Sequence, residues 1–293
     1  MYKDFKKSGI IHKVINQKIK NKLYDGISAL ELTEFIENEI KLYTKFNSND
    51  PLQGGIGFPV GISINDVAAH FTPSKQHNPI ISGNDVVKID YGVHINGCIS
   101  DGAFSWCPNG EYNNLIRVAK DATNTGIKNA GVDAILGEIG QSIQEVIESS
   151  EIDINGDLVP VKSIYDLCGH QIKQYKIHAG KAVPNIGLPY MERMKVDEIY
   201  AIETFPTTGN GAIYEDKECN HFMIDKPYNG GGDTKKIFDI RFSLPFCPRW
   251  FDFDIPNNKY IKKYPVLKTV DKGTVAQYEK TIYIKNTCVD VIN

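Results

Sequence analysis

The chain has 293 residues, enough to bury the core of one large domain or of two smaller ones, and its hydrophobic content of 41% is ordinary for a soluble globular protein. A formal net charge of -3 gives no reason to expect nucleic acid or an anionic membrane as the main partner. Apolar runs fall short of the roughly 18 residues that a bilayer span requires, so no membrane association is expected.

The six cysteines show none of the paired spacing typical of metal or disulfide motifs. The first 20 residues also lack the features of a secretory signal peptide. The sequence therefore predicts reduced thiols and a cytoplasmic location.

Two helices are predicted at the start of the chain. Apolar residues recur at helical spacing between Phe5 and Ile19, on a segment whose other face is rich in lysine. Ser28 and Glu31 then form a capping box in front of a second apolar repeat. We expect both helices to pack on the core through their apolar faces.

The whole chain, 1–293, is predicted to form one domain, in which strands and helices alternate after the first two helices. Asn96-Gly97 is a strong two-residue turn signal, which predicts a hairpin over 85–106. The Gly-rich start and mixed aromatic and polar content of 226–259 predict an inserted surface subdomain. Further helices are predicted at 121–130 and 136–149, and strands near 159–165, 172–178, 197–205, 218–224 and 273–285.

The hairpin carries the first chemical signal. If Asn96-Gly97 forms the turn, Asp90 faces Ala103 and Asp101 faces Gly92, so the two acids are diagonal neighbours on one face. Such neighbours lie about 7–8 Å apart, close enough for both carboxylates to converge on metal ions. The small cross-strand partners would leave that face open, and two adjacent like charges favour bound cations or protonation.

Three more candidate ligands follow along the chain, each in or beside a predicted strand. Four carboxylates and one imidazole make an oxygen-rich set that suits a pair of divalent ions better than a single tetrahedral zinc. The predicted set is Asp90, Asp101, His170, Glu203 and Glu279.

The segments around these residues resemble the metal-site segments of the methionine aminopeptidases, a pita-bread family of dinuclear peptidases. They occur in the same order and extend the resemblance over nearly the whole chain. The matching segments are KIDYG (88–92), DGAF (101–104), LCGHQIKQYKIHAGKAVP (167–184), AIETFPTTGNG (201–211) and AQYEKTIYI (276–284).

The resemblance implies a role for each ligand. Asp90 would chelate one ion, Asp101 and Glu279 would bridge both, and His170 and Glu203 would complete the other. The ions would be two divalent metals, Mn, Co, Fe or Zn, with a bridging water as the nucleophile.

It also implies catalytic and substrate-binding residues. In GIGFPVGISINDVAAHFTP (55–73), His70 would lie over the scissile bond, and His178 would bind the substrate carbonyl or the tetrahedral intermediate. Glu203 would also move a proton from the attacking water to the leaving amine. The pocket for the methionine side chain would be lined by Phe58, Ile177, His221, Tyr264 and Leu267, with His70 and His178 beside it.

The segments 241–252 and 263–281 resemble the type 2 branch of the family, with a shortened insertion. Lys280 stands where that branch commonly has histidine. Without the lysine-rich extension of eukaryotic type 2 enzymes, ribosome contact is left open.

The remaining histidines, His12, His77 and His94, have no comparable context and are predicted to lie on the surface.

The sequence thus predicts an α/β (α+β) pita-bread fold, a pseudo-two-fold antiparallel sheet flanked by helices. The expected enzyme is a monomer that removes methionine from nascent polypeptides with a small second residue, without specific nucleic-acid binding. Three alternatives remain, of which the first two are an Xaa-Pro peptidase sharing the metal ligands and a non-catalytic homologue that binds RNA or protein. A coincidence of carboxylates in an unrelated globular protein is the third.

Overall fold

Helices and antiparallel strands alternate along residues 1–154, 156–189 and 192–293, which the computed structural model describes. The helices are α1 Tyr2–Lys22, α2 Ala29–Thr44, α3 Asn113–Asn129, α4 Leu136–Glu148 and α5 Gly232–Arg241, with a 3-10 turn at Pro248–Trp250. The strands are β1 Gly54–Ile56, β2 Gly61–Ile64, β3 Val67–Ala69, β4 Val87–Ile95, β5 Cys98–Trp106, β6 Glu151–Ile154, β7 Asp157–Pro160, β8 Lys162–Ser163, β9 Cys168–Ile172, β10 Ala182–Pro184, β11 Ile199–Thr204, β12 Pro206–Thr207, β13 Ile213–Glu215, β14 His221–Ile224, β15 Ile261–Tyr264, β16 Leu267–Thr269, β17 Tyr278–Ile284 and β18 Val289–Val291. None of the helices in these ranges has the length and apolar character needed to cross a bilayer.

The first two helices form as the sequence predicts. The Ser28 side chain accepts a hydrogen bond from the Glu31 backbone N–H at 3.0 Å, which caps α2. The Glu31 carboxylate does not complete the capping box, because it pairs with Lys22 on α1 at 2.8 Å. The helix ends at Lys45, which adopts a left-handed conformation with φ 54°.

The predicted hairpin is confirmed with its register. Strands β4 and β5 pair antiparallel around Asn96-Gly97, with Asp90 opposite Ala103 and Asp101 opposite Gly92. Both turn residues have positive φ, 49° and 74°, as this type of two-residue turn requires. The two carboxylates therefore share one face of the sheet.

Two main sheets carry the site. One contains β1, β2, β4 and β5, and the other has the order β10-β9-β11-β17-β18. Side-chain hydroxyls join their adjacent edges: Ser105 on β5 bonds the backbone N–H and C=O of Gln277, and Thr281 on β17 bonds those of Asp101. The sheets thus form a nearly continuous layer without a direct backbone ladder at the seam.

A hydrophobic core lies behind each half of this layer. Helices α1 and α2 cover the first sheet, where Ile15, Ile36 and Ile89 are fully buried. Helices α3 and α4 cover the second sheet, where Leu115 and Ile143 are fully buried. Each sheet thus has two helices on one face, in line with the predicted pseudo-two-fold arrangement.

A break in the edge of the first sheet shapes the site. Both β1 and β2 pair with β4, and Gly57 still donates its N–H to the Gly92 carbonyl oxygen at 2.8 Å, but residues 58–60 leave the ladder. Phe58 and Pro59 in this break line the central cavity.

The segment 226–259 contains α5 and the 3-10 turn, and its Ile237 and Phe246 share a small hydrophobic cluster with Phe222, Ile224 and Ile261 on β14 and β15. Arg249 ties it to Glu37 on α2 by a buried ion pair at 2.6 Å. That the segment is a separate subdomain stays a prediction.

Several local predictions were wrong. The strand predicted at 172–178 lies earlier, at β9, and Lys173 to Lys176 form a tight turn with Tyr175 at φ 57°. The helix predicted to begin at Asp121 begins at Asn113. His12 and His94 are 1% and 0% exposed, not surface residues; only the exposed position of His77 agrees with the prediction.

Candidate metal and substrate site

Five strands bring the predicted metal ligands together at the centre of the layer. Glu203 lies directly opposite Glu279, and His170 is paired with Ala201, two residues before Glu203 on the same face. The ligands lie on β4 (Asp90), β5 (Asp101), β9 (His170), β11 (Glu203) and β17 (Glu279).

The distances between these groups are short. His170 Nε2 lies 3.5 Å from Asp101 Oδ2 and 3.6 Å from Glu203 Oε1. One ligand atom each from Asp101, His170 and Glu279 all lie within 4.8 Å of one another. This spacing is suitable for holding a metal ion.

Burial makes the cluster of carboxylates electrostatically costly. Asp101 and Glu279 are 3% and 2% exposed. Burial raises the pKa of Asp90 to about 7. Burial first, and neighbouring carboxylates second, also raise the pKa of Asp101 and Glu203 well above the ordinary range. Glu279 shows the same direction of pKa shift for the same causes.

Unpartnered atoms indicate what would relieve this cost. Asp90 Oδ1 and Asp101 Oδ1 are buried and have no hydrogen-bond partner in the described part of the chain. Burial lowers the pKa of His170 to about 4, so its imidazole is neutral and has a lone pair available for a metal. Carboxylate oxygens with one neutral imidazole fit divalent first-row ions.

Gln277 is a site residue that the sequence analysis missed. Its Nε2 donates to Asp90 Oδ2 at 3.3 Å and to Glu203 Oε2 at 3.4 Å, and the residue is 1% exposed. Its position two residues before Glu279 was the available signal, because alternate residues of a strand share a face. Gln277 holds two ligands that come from different sheets.

His70 follows β3 with φ 66°, an uncommon conformation for a residue other than glycine. Its Nδ1 lies 3.1 Å from the carbonyl oxygen of Pro265, and burial lowers its pKa to about 3. The neutral ring therefore donates its Nδ1–H to that carbonyl, which leaves the Nε2 lone pair free.

His221 holds the backbone around His70. Its Nδ1 is 2.7 Å from the His70 carbonyl oxygen, and its Nε2 is 3.1 Å from that of Pro59. Burial lowers the pKa of His221. A neutral ring carries a single N–H, so it can donate to only one of these two carbonyl oxygens; it packs between two walls of the cavity beside His70.

His178 lies next to the ligands. Its ring centroid is 4.3 Å from that of His170 and 5.8 Å from that of Tyr264. Burial first, and then the proximity of the His170 imidazole, moves its pKa well below the ordinary value. Its neutral imidazole has one N–H to offer to a bound group.

A cavity of about 230 Å³ collects eleven of the twelve predicted site residues. The exception is Leu267, which packs behind the cavity with Ile164 and Phe205. The cavity wall also includes residues that the sequence analysis did not single out: Asp166, Cys168, Phe205 and Pro245.

The role predicted for Gly92 was wrong. A Cβ atom at Gly92 would lie 2.4 Å from the Phe58 ring, so the missing side chain makes room for that ring and does not leave space for ions. Phe58 thus reaches the cavity because the residue opposite Asp101 is glycine.

Lys280 lies on the other face of the sheet. It alternates with Glu279 along β17 and does not line the cavity. Burial lowers its pKa to about 8, and nearby lysines act in the same direction. The lysine at this position, where the type 2 branch commonly has histidine, therefore does not change the cavity wall.

Comparison with known proteins now gives the family. The model of metallopeptidase family M24 matches residues 3–286. The chain belongs to this family.

Within M24, its relatives include methionine aminopeptidase 2 of Komagataella phaffii, 38% identical over 100% of this chain and 69% of that protein. Methionine aminopeptidase 2 of Clavispora lusitaniae is 37% identical over 97% of this chain and 69% of that protein. The matched region is thus somewhat more than two thirds of each relative.

Solved structures share the fold at low sequence identity. A methionine aminopeptidase from Thermotoga maritima superposes with a TM-score of 0.70 at 18% identity, covering 99% of this chain and 95% of that one. A thermophilic Arx1 gives 0.81 at 14% identity over 99% and 90%. The prolidase from Pyrococcus furiosus gives 0.62 at 13% identity over 99% and 63%. The predicted pita-bread fold is therefore confirmed.

Proposed function

We propose that this M24 member is a methionyl aminopeptidase that hydrolyses the N-terminal methionine from polypeptides whose second residue is small. The observation that carries the proposal is the single cavity that holds both the carboxylate cluster and the apolar wall. The relatives at 36–38% identity named methionine aminopeptidase 2 support the same reaction.

The proposed cofactor is a pair of divalent ions held by the four carboxylates and His170. The unpartnered, buried oxygens of Asp90 and Asp101 fit such ions. When bound, the ions would lower the pKa of a water molecule and polarise the peptide carbonyl. Mn, Co, Fe and Zn all suit this donor set.

Protein side chains would divide the remaining work. Glu203, held by Gln277, would take the proton of the attacking water and pass it to the leaving amine. His178 would donate its N–H to the oxygen that becomes negative in the transition state. His70 would accept a hydrogen bond from the substrate through Nε2, because its Nδ1–H is engaged by Pro265.

Specificity would come from the apolar side of the cavity. Phe58, Ile177 and Tyr264 line it together with His221. A flexible thioether packs well against aromatic edges, so the methionine side chain suits this wall. We expect the bounded volume of about 230 Å³ to exclude substrates with a bulky second residue.

The proposal includes the setting of the reaction. Nascent polypeptide N-termini would be the partners of a monomeric, cytoplasmic enzyme, and contact with the ribosome would follow from where such N-termini emerge. The segment 226–259 would act as a subdomain that supports the cavity wall through Pro245.

Release of free methionine tests the proposal. Protein stripped of metal and refilled with Mn²⁺ or Co²⁺ is incubated with Met-Ala-Ser and with Met-Leu-Ser. Cleavage of Met-Ala-Ser is expected only when metal is present, because the proposed reaction needs the bound ions. Met-Leu-Ser should not be cleaved, because its second residue is bulky.

Xaa-Pro and Met-Gly peptides complete the panel. Cleavage of Xaa-Pro peptides in preference to Met-Ala-Ser would show a proline-directed peptidase. Absence of cleavage with either metal would contradict the proposal and favour a non-catalytic role.

A further inference from the structure

A second cavity, of about 610 Å³, lies between α2, the loop that follows it and the segment 226–259. Its apolar lining includes Phe46, Ile56, Ile240 and Trp250. The volume lies within the range of about 300–1,000 Å³ typical of small-molecule sites. It shares none of its lining residues with the cavity of the candidate active site.

Arg241, the last residue of α5, lines this cavity and is 9% exposed. Its Nη2 donates to the carbonyl oxygens of Pro245 at 2.7 Å and Ile56 at 2.9 Å. Its Nε has no hydrogen-bond partner among the described residues. The guanidinium lies 4.9 Å from the centroid of the Trp250 ring.

The neighbouring Arg249 has a carboxylate partner of the kind that Arg241 lacks within the described ranges. Arg249 binds both oxygens of Glu37, at 2.6 and 3.0 Å, and Trp250 Nε1 donates to the same carboxylate at 3.0 Å. Glu37 is therefore fully engaged. Within the described ranges, no carboxylate forms a salt bridge with Arg241.

The charge balance of the lining is positive. Four basic side chains face two acidic ones, Glu34 and Glu37. Burial lowers the pKa of Arg241 to about 10, and the nearby Glu37 carboxylate, which is paired with Arg249, offsets this only in part. An anion in the cavity would supply the missing charge and use the free donor capacity.

We propose that this second cavity binds a small organic carboxylate carried on an aromatic or branched apolar body, with Arg241 as the residue that pairs with the carboxylate. The buried guanidinium selects the anion, because within the described ranges it has no salt-bridged carboxylate and its Nε has no hydrogen-bond partner. The apolar walls select an organic body over a free inorganic ion. The inference does not depend on the proposed catalytic function.

Isothermal calorimetry on the full, metal-loaded chain tests this site. The probes are 3-indolepropionate and its neutral amide, 3-indolepropionamide, which has a similar shape. The acid is expected to bind, and the amide to bind at least about tenfold more weakly, since only the acid can pair with Arg241.

Two substitutions at Ile240 locate the binding. Ile240 lines the cavity and is 40% exposed, so the fold tolerates a polar side chain there. Ile240→Glu adds a competing carboxylate and should weaken binding of the acid at least about tenfold, whereas the matched Ile240→Gln should retain it.

Arg241→Gln should also abolish binding of the acid if circular dichroism shows that it folds. If this variant does not fold, the Ile240 pair still decides the question. The proposal is overturned by equal affinity for acid and amide, by equal affinity of the two Ile240 variants for the acid, or by no binding of the acid at about 10 mM.

Discussion

At the scale of single residues, the carboxylate cluster links stability to metal binding. The native fold brings Asp90, Asp101, Glu203 and Glu279 together although burial raises the pKa of all four and repulsion from neighbouring carboxylates raises it further in the last three. A cation that binds only the folded chain would stabilise it by mass action, by about 2.7 kcal/mol at a concentration 100 times its Kd.

Glu279→Ala tests the bridging role. The variant should lose binding of the metal pair and at least about 100-fold in activity, more than is typical for a residue outside the ligand shell. It should remain folded, because one of several repelling buried charges is removed. Metal stoichiometry, peptide cleavage and near-ultraviolet circular dichroism are the measurements, and normal turnover would contradict the assignment.

Gln277→Leu tests a residue that holds ligands without being one. Loss of its hydrogen bonds to Asp90 and Glu203 should weaken metal affinity or activity about 10- to 100-fold. Leucine keeps a similar volume, so the fold should persist. A metal titration identical to that of the control Gln141→Leu, on the surface of α4, would count against this role.

The candidate ligands could be predicted from the sequence because carboxylates and histidines are the usual metal-binding side chains and lie in segments that resemble those of a known family. It missed Gln277, whose amide is informative only once Asp90 and Glu203 are known to be near. It also misjudged Gly92, because the approach of Phe58 depends on the break in the strand edge at 58–60, which no local pattern indicates.

At the scale of elements, the hairpin was the most predictable feature. A two-residue turn fixes the pairing of every later residue, so Asn96-Gly97 alone determined the register of Asp90 and Asp101. The segment 172–178 was predicted as a strand because its polar and apolar residues alternate. Tertiary contacts prevail there: Tyr175 N–H bonds the Gly97 carbonyl oxygen, and its ring packs on Gly97.

Substitution of glycine by alanine separates two reasons why the Asn96-Gly97 turn needs glycine: the positive φ of Gly97 and the space that the Tyr175 ring takes. Gly97 has φ 74°, and a Cβ there would lie 2.4 Å from the Tyr175 ring. Gly26 has φ 96° but open space, and Gly131 has open space without positive φ. A positive φ costs an L-residue about 1–2 kcal/mol, so the free energy of unfolding should fall by that amount in Gly26→Ala and by more in Gly97→Ala.

Gly131→Ala should be neutral or slightly stabilising, because alanine restricts the unfolded chain. Urea unfolding of the three variants gives the comparison. Equal losses in Gly97→Ala and Gly26→Ala would show that the Tyr175 ring moves aside at no cost.

At the scale of the whole molecule, two buried neutral histidines predict acid sensitivity. His94 Nδ1 accepts a hydrogen bond from Gly97 N–H at 3.3 Å, and burial lowers the pKa of His94 to about 3. His12 stacks on Tyr91 with ring centroids 4.1 Å apart, and burial lowers its pKa to about 3 as well. Both rings are therefore neutral in the folded chain at pH values where the unfolded chain binds a proton.

The direction in which stability changes with pH follows from the lowered pKa of both histidines. From pH 6.5 down to about 3, each of these histidines should lower the free energy of unfolding by about 1.4 kcal/mol per pH unit. His94→Gln and His12→Gln should each reduce this slope by that amount. Urea unfolding at several pH values between 6.5 and 4.5 measures it, and curves parallel to that of the unmodified chain would refute the prediction.

The fold class could be predicted from the order of the segments, but the way in which the two sheets meet at the site could not. The seam between β5 and β17 depends on Ser105 and Thr281, which any strand could contain as ordinary polar residues. Nor does the sequence alone show that Leu267 packs behind the cavity, since that follows from its pairing with Ala69 on β3.

The position of Glu279 on β17 has a consequence for the order in which the candidate site forms. During synthesis the segment with α1, α2 and the hairpin emerges and begins to fold first. The candidate ligand set remains incomplete until β17 has been made and has inserted between β11 and β18. Every helix in the described ranges precedes β17 along the chain, so the candidate site is assembled after the helices that support it.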